Sequence, residues 1–346
     1  MIRWNWNPQD KPLAFVDFET ASNANLREVG SHAYVRDAST RLLSAVWRVD
    51  GEAMTWVPRP PPGLTGTLTG DAVPEAVRRL ASTHTWVAHN AEGFDAMLWE
   101  ALFPEVVPTW MDSMHLCRVA GLPASLDAAS KALGGKGKDE AGGKIMKLLT
   151  SRPDAVGTVP LFTKLLHYNR IDVERLEEVW RQVAANRMPR DELRLHSAVN
   201  ERGVMVDRAF AESLHATWIA MKLDARDEIA LATGGKLTRE KASSGPAVHA
   251  WLKSVGVKVA SLRKDFIATI LDDPDALGAG DDETAALVSH VLRLRADVVR
   301  AGEGKVARLV GTLDADDRLR RMFVYHGAAT GRFSSRVVQV DRKSVV

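Results

Sequence analysis

Leu13-Ala14-Phe15-Val16-Asp17-Phe18-Glu19-Thr20 is the stretch from which the fold reads outward. Leu13–Phe18 is an apolar run of the length of a buried strand. Asp17 and Glu19 are two apart on it, so both side chains leave the same face. Two carboxylates on one face repel unless something positive sits between them, and a divalent metal meets that need. The other reading is a strand end that points two acids at water, and this segment by itself leaves both open.

Downstream, Leu42–Val49 and Ala53–Val57 flank the turn dipeptide Asp50-Gly51 and read as a hairpin. Pro58, Pro60, Pro61, Pro62, Gly63, Gly66 and Gly70 make the next stretch a loop. Ala72–Leu80 is expected as a helix, Thr85–Ala88 as a strand and Glu92–Leu102 as a helix with Asn90 as its cap. Short helices follow over Asp112–Ala120 and Ser125–Leu133, then a Gly-rich mobile loop over 134–143. A long helix, Val159–Asn186, carries Pro160 in its first turn. Strands with interleaved helices and a hairpin argue an α/β fold, a mixed sheet covered by helices. From Met188-Pro189 the pattern is mostly helical (190–200, 208–232, 245–255, 262–271 and 282–310), so a domain boundary is placed near 188.

Two further segments carry acids. In His89-Asn90-Ala91-Glu92-Gly93-Phe94-Asp95, Asp95 falls in the first turns of a helix that starts directly after a strand, at the sheet edge where α/β proteins place sites. In Tyr168-Asn169-Arg170-Ile171-Asp172, Tyr168 and Asp172 are four apart on a helix and share a face. Each has a bland reading, a cap with a surface acid in one and a half-buried Tyr with a solvated acid in the other.

In chain order the segments read D-x-E, N-x-x-x-F-D, Y-x-x-x-D. Together they resemble the tyrosine-containing branch of the DEDD 3′–5′ exonucleases, to which the proofreading domain of family A (polymerase I type) DNA polymerases belongs. Asn25–Gly30 with Ala33-Tyr34, Met111–Leu116 and Gly121–Asp127 look like the phage members of that family. The resemblance is dense over residues 13–183. It implies an RNase H-like mixed five-stranded sheet flanked by helices, and hydrolysis of the 3′-terminal nucleotide with two divalent ions, Mg2+ or Mn2+. Asp17 would bridge both ions, Glu19 and Asp172 would complete the first site, Asp95 would serve the second, and Tyr168 would orient the attacking water. Phe18, Thr20, Asn90 and Phe94 would contact the 3′ end of DNA. His89 reads as a strand-end hydrogen bonder, Cys117 as core, and the seven tryptophans of the first 110 residues as core rather than as a stacking platform.

Asn200–Asp207 resembles the opening of a family A polymerase domain. Tyr325–Arg336, with Thr330, Gly331, Arg332 and Ser334, resembles that family's T-G-R-x-S segment, which contacts primer–template DNA, and the helices between would be a thumb-like domain. Ten basic residues against five acids between Val291 and Arg336 suit phosphate contacts. The expected organisation is 1–188 exonuclease, 189–340 the N-terminal part of a polymerase domain, and 341–346 a processing scar. The polymerase catalytic aspartates are not in the chain, so no polymerisation is expected of it. An RNA-trimming exonuclease of the same superfamily and a catalytically idle DNA-binding fragment are the alternatives.

Composition narrows the rest. Hydrophobic residues are 45% and charged residues 26%, which fits a globular chain and excludes disorder as its main state. No run of about 18 uncharged apolar residues exists to span a membrane. With 46 Lys and Arg against 44 Asp and Glu, the net charge of +2 announces no polyanion by itself. The lone Cys117 excludes an intrachain disulfide framework and a cysteine zinc site. The N-terminus lacks an apolar signal core. A cytoplasmic monomer acting on DNA is the expectation.

Overall fold

The computed structural model describes residues 2–135, 158–184, 188–272, 277–299, 302–328 and 330–337. The glycine-rich loop expected over 134–143 lies almost wholly outside them, and the hexapeptide 341–346 entirely so.

The chain forms two compact units. The first, residues 1–205 and 314–346, is built on a sheet of β1 (Arg3–Trp4), β2 (Leu13–Ala21), β3 (Arg41–Val49), β4 (Glu52–Val57), β5 (Leu68–Thr69), β6 (Thr85–Ala88) and β7 (Thr109–Asp112). The order is β1-β7-β6-β2-β3-β4-β5. β2, β3 and β4 pair antiparallel, while β2 with β6 and β6 with β7 run parallel. The four strands located in the sequence are β2, β3, β4 and β6, and the fifth of the central strands is β7, whose last residue, Asp112, is the expected start of a helix. The expectation of five is corrected to seven by the two-residue strands β1 and β5, which add in parallel at the two edges and are too short to leave a periodic signal. Asp50 and Gly51 turn β3 into β4 with φ of 49° and 87°, the left-handed pair that a two-residue hairpin loop requires.

Alternation along β2 sorts the core. Ala14, Val16 and Phe18 face one layer with Trp47, Trp86 and Trp110. Against them pack α2 (Glu75–Thr83), which begins directly after Pro74, and α3 (Asp95–Leu102). Trp99 of α3 packs its ring at 4.8 Å from Trp86 and 5.4 Å from Phe18. Phe15 faces the opposite layer with Val46, Val87 and Met111. There it meets α4 (Ser113–Val119), α5 (Leu126–Ala132), α6 (Val159–Val183) and α7 (Arg190–Arg202). Trp6, Trp47, Trp56, Trp86, Trp99 and Trp110 are fully buried, the core role expected of them. Cys117 is buried as well, and burial pushes its thiol up to about 12.

Two polar clamps fix α6 on the sheet. Arg48 Nε of β3 donates to Glu177 at 2.7 Å, and Arg170 Nη2 donates to Thr55 Oγ1 of β4 at 3.1 Å. The boundary expected near 188 falls inside this unit, because Leu193 of α7 belongs to the same core as Phe15 and Val173. The unit closes through β8 (Val204–Met205), which pairs antiparallel with β9 (Arg318–Leu319), and through the ribbon of β10 (Phe323–Val324) and β11 (Ser334–Ser335). Tyr325, just after β10, packs into the layer of α6 and α7.

The second unit, residues 206–313, is helical, as expected. It holds α8 (Arg208–Ala232), α9 (Gly245–Ser254), α10 (Lys264–Asp272), α11 (Asp282–Val298) and α12 (Gly302–Thr312). The single helix expected over 282–310 is two. Ile229, Val248, Trp251, Leu252, Val288, Val291 and Leu292 form the centre of its core. No described helix in the chain is long and apolar enough to cross a membrane.

Candidate active site

Asp17 and Glu19 project from β2 on the face that carries Phe15, the face covered by α6. The ladder between β2 and β3 shifts register between Glu19 and Thr20, a bulge that re-aims the strand end beside Glu19. α6 brings Tyr168, Asn169 and Asp172 to the same place. Asn169 Nδ2 donates to Asp17 Oδ2 at 2.9 Å. Tyr168 donates its hydroxyl to Asp172, and burial, then Asp172, Glu19 and Asp17, drive the phenol's pKa far above its ordinary value. Arg175 Nη1 donates to Asp172 Oδ1 at 3.2 Å. Three carboxylates from β2 and α6 thus act on one phenol, with Glu19 and Asp172 both buried. Hard oxygen donors gathered in this way fit a divalent cation such as magnesium.

The fourth acid sits differently. Asp95 opens α3 and is fully enclosed, and burial followed by the charge of Asp112 pushes it up to about 8. Phe15 pairs with Val87 across β2 and β6, so the turn after Ala88 leaves the sheet beside Val16 and Asp17. That turn is bound from below, however. Asp112 accepts from the backbone N–H groups of Asn90 at 2.9 Å, Glu92 at 3.0 Å and Met114 at 2.9 Å. α3 then packs on the layer opposite α6. The structure therefore unites Asp17, Glu19, Tyr168 and Asp172 and holds Asp95 beside Asp112.

The residues expected to contact DNA divide as well. Phe18 is corrected from contact to core: strand alternation turns it away from Asp17, and its ring is 5% exposed among Trp47, Trp86, Trp99 and Trp110. Thr20 is buried and bonded to the Tyr34 hydroxyl at 3.0 Å, and Phe94 lies half-buried against the same Tyr34 ring at 5.9 Å. Asn90 adopts φ 74° rather than capping α3, whose cap position is Phe94. Its Oδ1 lies 3.5 Å from Arg336 Nη2. Thr330 and Arg332 are exposed, Gly331 turns with φ 77°, and Ser334 begins β11. Three members of the basic surplus are engaged internally. Arg320 pairs with Asp314 and Asp316, Arg321 with Glu100 and Glu201, and Arg318 donates to the Arg202 and Gly203 carbonyls. His89 behaves as expected, hydrogen-bonding Ser113 at 2.9 Å and the Ala124 carbonyl at 2.8 Å.

One constellation has no counterpart in the sequence reading. Glu92, His115 and His196 are all buried, and their ligand atoms lie within 4.8 Å of one another, close enough to hold a metal ion. Glu92 and His115 fall in two segments singled out in the sequence, Asn90–Asp95 and Met111–Leu116. His196 lies 104 residues beyond Glu92 and carries no local signal.

No protein family matches the chain by sequence, and no curated protein does. Among solved structures the chain is similar to the POL domain of Pol1 from M. smegmatis, in complex with DNA primer-template and dNTP. Identity is 19% and the TM-score 0.45, over 93% of this chain and 52% of that one. It is also similar to the apo form of a nuclease, at 19% identity and a TM-score of 0.33, over 51% of this chain and 73% of that one. The chain thus spans about half the length of the polymerase chain it matches.

Proposed function

We propose that the first unit is a metal-dependent exonuclease that removes the 3′-terminal nucleotide of DNA, in a protein of family A polymerase type where it would edit primer ends. The observation that carries this reading is the gathering of Asp17, Glu19 and Asp172 around the Tyr168 hydroxyl by two elements whose Asp17 and Asn169, bonded to each other, are 152 residues apart in sequence. Solvated surface acids would have no reason to share one buried phenol.

The three carboxylates would hold divalent ions, Mg2+ or Mn2+, whose chemistry when bound is to acidify a water and stabilise the leaving oxygen. Asn169 fixes the Asp17 carboxylate, and Arg175 fixes that of Asp172. Tyr168 would orient the attacking water by hydrogen bonding. Thr20, Phe94 and Asn90 are proposed to receive the terminal nucleotide, and Thr330, Gly331, Arg332 and Ser334 the primer–template backbone. Asp95 is assigned on its motif alone.

The test is magnesium-dependent release of the terminal nucleotide from end-labelled single-stranded DNA, with a matched RNA oligonucleotide beside it. Asp17→Ala should lower the rate at least about a hundredfold. Equal rates in wild type and variant sink the assignment, and faster trimming of RNA redirects it to that substrate. Asp95→Asn separates a four-acid site from a three-acid one, and a loss as large as that of Asp17→Ala is the expected result.

A further inference from the structure

We propose that Glu92, His115 and His196 form a buried three-ligand site for one zinc-class divalent cation, independent of the nuclease reading. The three side chains come from the turn after β6, from α4 and from α7, and they are 7%, 3% and 1% exposed. Glu92 Oε2 lies 2.7 Å from His196 Nε2 and 3.2 Å from His115 Nε2. Ligands about 2.0–2.2 Å from a tetrahedral zinc are spaced roughly 3.3 Å apart, so the three atoms need only small shifts to surround an ion. Two imidazoles and a carboxylate are a donor set that suits zinc, whereas magnesium prefers oxygen alone.

The surroundings support an ion. Asn200 Nδ2 donates to the other carboxylate oxygen, Glu92 Oε1, at 2.8 Å, which leaves Oε2 turned to the imidazoles. The Asn200 amide is itself fixed, since Oδ1 accepts from the Phe323 N–H at 3.1 Å and Nδ2 donates to the Phe323 carbonyl at 2.9 Å. Such outer partners orient metal ligands. Negative charge is concentrated here: the buried carboxylate of Asp112 lies 3.8 Å from His115 Nε2, and both acids act on Arg118. A divalent cation balances Glu92 and Asp112 together.

The competing arrangement has both imidazoles donating Nε2–H to one carboxylate oxygen. Asn200 Nδ2 also lies 3.2 Å from His196 Nε2, but its two hydrogens go to Glu92 Oε1 and the Phe323 carbonyl, so this approach fits either arrangement. A ring bound through Nε2 would carry its proton on Nδ1, which in both histidines is buried without an acceptor, a cost that the bonds to the ion must outweigh.

The experiment is metal analysis of the full chain, stripped with chelator, loaded with zinc and exhaustively dialysed. One zinc per chain is expected in wild type and in Asp17→Ala, falling below about a tenth in Glu92→Gln and His196→Ala. Zinc should also raise the melting temperature of wild type, and chelator should reverse the rise. Cobalt loading of wild type reads the site without any variant, and the visible bands of tetrahedral cobalt are expected. Failure to retain zinc, retention in a folded His196→Ala chain, loss in Asp17→Ala, or cobalt bands of an octahedral site would each overturn the proposal. Loss of nuclease activity plays no part in the readout, so failure here and failure of the nuclease reading are told apart.

Discussion

At the scale of single residues, the most consequential group is the Tyr168 hydroxyl. It donates to Asp172 under the influence of two further carboxylates, which fixes both its proton and its direction. Tyr168→Phe removes that direction and leaves the packing of α6. The proposed hydrolysis should slow by about tenfold to a hundredfold, with KM for the oligonucleotide little changed and a stability loss of about 1 kcal/mol. Steady-state kinetics beside a urea titration checks both. Much of this site was legible because its spacings are local: two residues on a strand place Asp17 with Glu19, and four on a helix place Tyr168 with Asp172. The same parity, applied one residue on, turns Phe18 into the opposite layer, where the structure puts it. Asp95 was not legible in this way, since its direction depends on what Asp112 does to the preceding turn. Nor was Glu92, whose partners His196 and Asn200 lie more than a hundred residues away.

At the scale of elements, the layer between β2 and α3 is dominated by indoles, and Trp99 is the piece that α3 contributes. It lies within 4.7–6.4 Å of the rings of Phe18, Trp47, Trp56, Trp86 and Phe103. Trp99→Ala should cost about 3–5 kcal/mol, since a void that large cannot be refilled by side chains this rigid. The midpoint of urea unfolding measures it. The first helix, α1 (Leu26–Arg36), adds Tyr34 and Val35 to this layer and is held by charge as well. Burial would raise the Asp314 carboxyl, but hydrogen bonds with His32 at 3.1 Å and Arg320 at 2.9 Å, with the Arg36 charge, outweigh it and hold it well below the usual carboxylate range. A depressed folded pKa contributes stability that is fully present above the unfolded value, near 3.8, and is lost as pH falls toward the folded one. Stability should therefore drop between about pH 4 and pH 2. Asp314→Asn should flatten part of that fall and lower stability at pH 6, as urea melts at several pH values would show.

At the scale of the whole molecule, the first unit is discontinuous: residues 206–313 leave it after β8 and the chain rejoins it just before β9. Two strands of two residues each, paired as Val204 with Leu319 and Met205 with Arg318, give no periodic trace. That is why the change of pattern at Met188-Pro189 reads as an edge when it is only a change of composition within one body. A fragment ending at 188 lacks Leu193 and Tyr325 from the layer of α6, and the His196 and Asn200 partners of Glu92. It should melt without cooperativity by circular dichroism. A chain in which a short Gly/Ser linker joins Met205 to Asp314 should melt cooperatively. The discontinuity also reverses the usual timetable of synthesis on the ribosome. Residues 206–313 are contiguous and complete as soon as they emerge. The older, N-terminal body must wait for its last ribbon, so the part translated first is the part finished last, and its half-made layer of apolar side chains is what a nascent-chain chaperone would meet.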